Sequence, residues 1–507
     1  MTLLSGHRRV LLSSVLSVVA GTVAGCSVLP VPIGSQETAQ AAKTGLEAMR
    51  AEQEPVARPI DLGEAMARAV LYNLDSRVEL MEIALKNRQA ETATIAMLPN
   101  IIAGAGYAGR NKYDASSSSQ IGTGTQNFSY STSQEKEILT GDLALSWNVL
   151  DFGLSYIRAQ QAADRVLISQ EQRRKALARI VEEVRGAYWR ALAAEYLSKD
   201  LKTLQARVQT ALKRAEQLGS SGQAGPLVAL TYQRDIYEIT ERIQQIETEV
   251  SAARAQLAAL MNVAPEAKFS LVRPANNLPP EGAFPRPAAL VSAALENRPE
   301  MRAVLYDQKI GRLDGTAALL ELLPSVNLNV GPAYTSNSYT ANQDWWGWGA
   351  RTSWNLMRLA AYPIRKNELS ANDALLGERV KATAAAIALQ VYVSRTRYEQ
   401  TLARAKTLAN YSKVQQRVLG QLTASTTAEQ SGEIELAREE LTALLARARY
   451  DVAAADAQSA YATMLTAVGV DPYPAQVHGS LTEMAQAFRT QGAGQVKTLK
   501  VGSAGTP

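Results

Sequence analysis

From Asp142 the chain alternates. Leu143, Leu145, Trp147 and Val149 fall on one side, and Asp142, Ala144, Ser146 and Asn148 on the other. That period of two predicts a β-strand. Past Phe152-Gly153 the pattern changes, and Leu154 to Leu218 is 65 residues with no proline and one glycine, Gly186. A continuous helix of that length rises about 98 Å, more than a compact domain needs. A strand feeding such a helix suggests a device that spans something.

The same design occurs twice. Ser146-Trp147-Asn148 returns as Ser353-Trp354-Asn355, 207 positions on, and Gln223, Gly225, Val263 and Pro265 have counterparts at Gln430, Gly432, Val470 and Pro472. A constant offset means no net length change along the helices, because an indel would rotate an apolar seam off its partner. Segments 62–101 and 290–326 also match, each ending at Leu-Pro (Leu98-Pro99, Leu323-Pro324), but 225 positions apart. The 18 extra residues lie in the Ser/Gly-rich tract Asp114 to Gln134, whose composition suits a disordered loop.

Heptad spacing supports the helices. Ile239, Ile243, Ile246, Val250, Ala253, Leu257 and Leu260 form one seam, and Leu201, Leu204, Val208, Ala211, Ala215 and Leu218 another. Leu441, Leu445, Ala448, Val452 and Ala455 repeat it in the second copy. Such seams predict antiparallel hairpins turning at Gly219–Gly225 and Thr426–Gly432. Helices over 74–98 and 226–262, laid end to end, would rise about 93 Å and match the long helix.

The second copy's strands alternate more plainly. Val326, Leu328 and Val330 oppose Asn327, Asn329 and Gly331, while Trp346, Trp348, Ala350, Thr352, Trp354 and Leu356 share a side. About ten residues suits a tilted membrane strand. Trp346 and Trp348 at one end, with Trp354 and Trp147 at the other, form candidate aromatic girdles. A soluble half-buried hairpin is the plainer alternative. Four strands cannot close a barrel in lipid, so the membrane reading requires an oligomer.

Composition narrows the function. The 507 residues carry a formal charge of +5, without the dense basic run of a nucleic-acid footprint. One cysteine and two histidines, His7 and His478, leave almost nothing from which to build a zinc site or a catalytic triad. No cofactor or metal is expected, and an enzyme is the least favoured class. His7-Arg8-Arg9, an apolar run to Val23 and then Ala24-Gly25-Cys26 read as a secretory signal. A plain signal peptide remains the alternative to a lipoprotein one.

With Cys26-Ser27, the IDLGEAMARAVLYN opening, the tandem repeat and both Leu-Pro pairs in view, residues 60 to 472 resemble the TolC-type outer-membrane factors, lipoprotein branch. The resemblance implies lipid attachment, palmitate included, at Cys26, and an outer-membrane address. It also implies a homotrimer in which each chain gives four strands to one barrel above a helical tunnel. Its partners would be outer-membrane lipid, a periplasmic adaptor and an inner-membrane transporter. The expected fold class is mainly α with transmembrane β, internally duplicated and closed only as an oligomer. Expected domains are a signal peptide (1–25), a lipidated arm (26–60), a first repeat (61–264), a Pro-rich linker (265–287), a second repeat (288–472) and a tail (473–507).

The hairpin turns depart from the usual family pattern, being rich in Ser and Thr. Arg214, Gly219, Gly225, Glu429, Gly432 and Glu433 are the candidate tip or gate residues, with solvated helix-end charges as the alternative. The function implied is a passive exit duct of a tripartite export system. The alternative is a lipidated periplasmic adaptor, which would carry one hairpin where this chain has two. A coiled-coil spacer leaves the Trp-bearing strands unexplained.

Overall fold

The computed structural model describes residues 31–51, 53–126, 128–220, 226–264, 267–274, 278–425, 432–474 and 479–490. Cys26, Gly225, Glu429 and the segment 1–25 lie outside the described residues. The chain divides at Pro55 into two units. The first holds a helix, α1 (Ser35–Ala51), whose described side chains are exposed.

The second unit contains both copies. The first runs α2 (Leu62–Tyr72), α3 (Leu74–Ile95), β1 (Asn100–Gly109), β2 (Ala115–Ser116), β3 (Ser131–Thr132), β4 (Glu137–Asn148), α4 (Val149–Ser220) and α5 (Pro226–Leu260). The second runs α6 (Pro287–Asn297), α7 (Pro299–Leu320), β5 (Ser325–Thr335), β6 (Asp344–Ser353), α8 (Leu356–Ser425) and α9 (Gly432–Val468). A final helix, α10, covers 481–490.

Caps set the breaks. Asp61 accepts from the Glu64 N–H at 2.8 Å and opens α2, and Asn73 accepts from Asp75 at 2.9 Å and opens α3. The long helix starts five residues earlier than its apolar pattern suggests. Asn148 caps it, taking the N–H groups of Leu150 (3.0 Å) and Asp151 (3.2 Å). Asn355 does the same for Met357 at 3.1 Å. The asparagine of each Ser-Trp-Asn is therefore a cap that turns strand into helix, directly in the first copy and across two residues in the second.

The short helices stack end to end. Asn262 (φ 56) and Gly469 (φ 81) both take the left-handed conformation after α5 and α9. Val263 N–H then reaches Ala258 O at 2.8 Å, and Val470 N–H reaches Leu465 O at 3.1 Å, the Schellman closure in each copy. The Asn262 amide donates to Tyr72 O at 3.0 Å, joining the end of α5 to the last residue of α2, just before α3 begins. At Gly469 a Cβ would crowd the Arg298 nitrogen at 3.0 Å, on top of the strain of a left-handed backbone. The stacked helices are shorter than expected, α3 having 22 residues and α5 35 against 72 in α4. The junction residues and the overhanging ends of α4 make up the difference.

Both flanks of α4 are covered. Along one, α7 binds through Lys309–Asp164 (2.7 Å) and Gln161–Asp314 (2.8 Å). There α9 takes over at Thr466–Glu182 (2.9 Å) and Arg447–Asp200 (3.1 Å), with Arg174–Asp471 (3.1 Å) just past its end. Stacked α3 and α5 cover the other. Because α9 packs on both α4 and α8, it has two buried seams rather than one; Ala453, Ala454 and Ala457 are buried while Val452 is exposed. The expected seam through Val452 is corrected accordingly.

Around the junctions lies the largest core. Residues Gly63 to Val70 of α2 are all buried there, with Tyr188 and Trp189 of α4. The Tyr188 hydroxyl donates to Ile60 O (3.1 Å) and meets Val272 O, and burial raises its pKa. The stretch after Pro265 packs here too, through Phe269 and Leu271. So does the tail: Leu481, Met484, Ala485 and Phe488 are buried. Its start is a reciprocal capping box, Ser480 and Glu483, that the sequence reading passed over. Those bonds to Ser480 lower the Glu483 pKa.

Tract 114–134 is not a structureless loop among its described residues. Strands β2 and β3 pair, and Asn337 fixes the hairpin by donating to Ser133 O (2.9 Å) and accepting from Glu135 N–H (3.3 Å). A Phe488→Ala variant should lose about 3–5 kcal/mol of local stability. Hydrogen exchange across α2 should then accelerate; unchanged exchange would show that α10 is not part of this core.

Candidate functional site

The strands β1, β4, β5 and β6 form one antiparallel sheet in that order, with the two copies meeting at β4–β5. Its pairing separates two faces. Ile101, Leu145, Val330 and Trp348 form one row across all four strands. Trp346 pairs with Pro332 on the same apolar face. The opposite face carries rows such as Asn100–Ser146–Asn329–Gly349, polar or small throughout. At Gly331 the neighbouring strand comes so close that a Cβ would collide with the Leu143 carbonyl. Strands β1 and β6 are edges, each with one unpaired side among the described residues.

On the apolar face Trp346 and Trp348 are 74% and 86% exposed. Trp147 shares a row with Leu328 and Ala350, one row from Trp348, and stacks edge-on against Phe152 at 5.6 Å. Trp354 lies just past β6, and its Nε1 donates to Leu322 O at 2.9 Å. Sequence equivalence suggests one height for Trp147 and Trp354, but the hydrogen-bonded rows do not align them. Rows run oblique to the axis of a tilted barrel, so row and height differ.

No family model matches the sequence. No curated protein matches it either. Solved structures do. The Campylobacter jejuni CmeC outer-membrane channel superposes with a TM-score of 0.62 at 12% identity, covering 90% of this chain and 96% of that one. The outer-membrane channel OprN gives 0.60 at 17%, covering 83% and 95%. VceC from Vibrio cholerae, an outer-membrane protein, gives 0.59 at 13%, covering 80% and 96%. The chain has the TolC-type fold.

In that fold the helical hairpin tips lie farthest from the strands along α4 and α8. Gly219 falls in the last turn of α4, with Arg214 a turn earlier, and Gly432 and Glu433 open α9. Residues 221–225 and 426–431, which hold Gly225 and Glu429, are outside the described residues. What the structure adds is one step back from the tip. Asp235 on α5 is buried, paired to Arg234 at 2.9 Å and also to Arg438 of α9. This pair ties the first hairpin to the second, above the apolar cluster of Leu204, Val208, Ile236, Ile239, Leu441 and Leu444. Sequence reading missed it because each residue looks like an ordinary helix charge until the two hairpins are placed side by side.

At the α6–α7 junction of the second copy, Arg298 grips Glu300 at 3.0 Å. Burial alone would raise the Glu300 pKa, but the hydrogen bonds and charge of Arg298 outweigh it and the pKa falls.

The Asp235 pair predicts an asymmetry. Arg438→Ala strands a buried carboxylate with one partner and should cost about 2 kcal/mol, after allowance for the half-exposed arginine. Asp235→Ala frees two arginines to rehydrate and should cost about 1 kcal/mol or less. Chemical denaturation of both variants checks the order, and the reverse order would refute it.

Proposed function

We propose that this protein is the exit duct of a tripartite export system: a passive homotrimeric channel through the outer membrane and into the periplasm. The observation that carries the reading is an unfinished repeat. Helix α4 is flanked on both sides, whereas α8 packs on α6, α7 and α9 and meets no other helix closely among the described residues. Its bare flank carries Leu389, Val393, Tyr411, Val414 and Val418 at heptad spacing, all exposed.

Shifting the α4–α9 contact by 207 positions says what belongs there. Gly186 packs on Ser459, where an added Cβ would lie 3.2 Å from Oγ. The equivalents are Val393, 56% exposed, and Ala252 of α5. Glu182, which binds Thr466, becomes Leu389 and Ala259. The shifted contact thus sets larger, apolar side chains of α8 against alanines of α5. The α3–α5 flank of a second copy fits α8, head to tail, and the β6 edge meets that copy's β1. Such heterologous contacts close into a ring. Three copies give 12 strands, an even number above the roughly eight a barrel needs.

The fold likeness to outer-membrane channels supports the same reading, with a periplasmic adaptor and an inner-membrane transporter as partners at the hairpin tips. Lipid attachment at Cys26 and girdle roles for Trp147, Trp346, Trp348 and Trp354 belong to the proposal. Domain limits follow the repeat boundaries given above.

Purified protein added to a planar lipid bilayer should form large, long-lived aqueous pores. A bilayer that stays sealed with oligomers confirmed, for the wild type and for the Arg438→Ala variant that lacks the tie between the hairpins, would count against a duct.

A further inference from the structure

Three of the six tryptophans fall at positions 345, 346 and 348, and they do not share a face. Trp346 and Trp348 lie on the apolar side. Trp345 pairs with Ala333, Ala333 with Asp142, and Asp142 with Gly104. All four therefore share a row on the polar side, with Asn329, Ser146 and the glycines. An indole on the water face of a membrane strand is not explained by a girdle, which faces lipid.

Both side chains of interest lie over glycine. The Asp142 carboxylate comes within 2.5 Å of where Gly104 would carry a Cβ, and Trp345 Nε1 within 3.9 Å of the same point at Gly347. Any larger residue at 104 would displace the carboxylate. Ala333, between them, leaves the space open. Two strand spacings put the Asp142 and Trp345 Cα atoms roughly 10 Å apart. Trp345 is 46% exposed, and no cation pairs with Asp142 among the described residues. Elsewhere on this face of the four strands the only charge is Arg351, six residues along β6 from Trp345, or roughly 20 Å toward the helices.

We infer that Asp142 and Trp345 form a subsite on the bore wall for lipophilic organic cations, amines or quaternary ions with an apolar body. The carboxylate supplies the counter-charge. The indole supplies a face that attracts cations and apolar groups alike. An anion meets repulsion at this row, and a small hydrated metal ion gains nothing from the indole. In a ring of three copies the row presents three such pairs at one height. The inference rests on the duct reading, since only a closed barrel makes this face a bore.

The test is open-pore block in planar bilayers by tetraphenylphosphonium, with tetraphenylborate as the equal-sized anion. Wild-type pores should be blocked by the cation and not by the anion. Asp142→Asn and Trp345→Leu should each weaken block by about fivefold. Arg351→Gln, three rows away, should leave it nearly unchanged. Equal block in wild type and in both row variants, or equal block by the two ions, overturns the subsite while the duct stands. Failure of wild-type protein to conduct overturns the duct and the subsite together. Calorimetric titration of detergent-purified protein with tetraphenylphosphonium gives an independent reading, and heat of binding that survives both substitutions would also overturn the subsite.

Discussion

The proposed duct depends on the requirement that every backbone group in hydrocarbon be hydrogen-bonded within protein. An unpaired N–H or C=O there costs several kcal/mol. Strands β1 and β6, of ten residues each, leave a row of such groups at either side of the sheet. No rearrangement inside one chain pairs them, because four strands cannot curl into a barrel. In the proposed duct the chain is therefore one segment of a ring. The helices carry the same message in another currency of contacts: α8 ends with an apolar flank uncovered, although its equivalent α4 is covered on both sides.

Duplication makes this arrangement economical in information. The contact of α4 with α7 and α9 is formed within the chain, and the contact proposed between copies is its image 207 positions along. Residues at the two interfaces differ in size and polarity. Gly186 and Ser459 admit a close approach in the first, whereas the second sets the larger Val393 against Ala252. Polar links such as Glu182–Thr466 are replaced by apolar Leu389 and Ala259. A more polar contact inside the chain is tolerable because chain connectivity already holds it together. Contacts between separate chains must offset the lost freedom of association as well, and there apolar burial contributes more.

Much of this architecture was legible in the residues. Alternation named three of the four strands, the repeat implied the other, and the constant offset showed that the helices match in length. Two kinds of feature were hidden. Local caps moved the boundaries: Asn148 and Asn355 begin their helices earlier than hydrophobic periodicity shows, because a cap acts through its side-chain oxygen and carries no apolar signal. Contacts distant in sequence hid the rest. Val452 looked like a seam residue on a one-partner helix, but α9 has two partners and turns it outward. Asp235 and Arg438, 203 positions apart, could not be paired by spacing. Nor could the second-face position of Trp345 be given meaning until the register set Asp142 in its row. The capping box Ser480–Glu483 was readable, and with the buried Phe488 it assigns α10 to the core.

The central claim is that α8 of one copy lies against α5 of the next. Disulfide trapping between Ala252→Cys and Val393→Cys tests it most directly, since the sequence holds only one other cysteine, Cys26. The double variant, oxidised in membranes, should run as covalent dimers and trimers on denaturing gels, with a closed trimer as the upper limit. Each single variant should remain monomeric. A double variant that stays monomeric under oxidation, or forms no more dimer than either single variant, would contradict the ring.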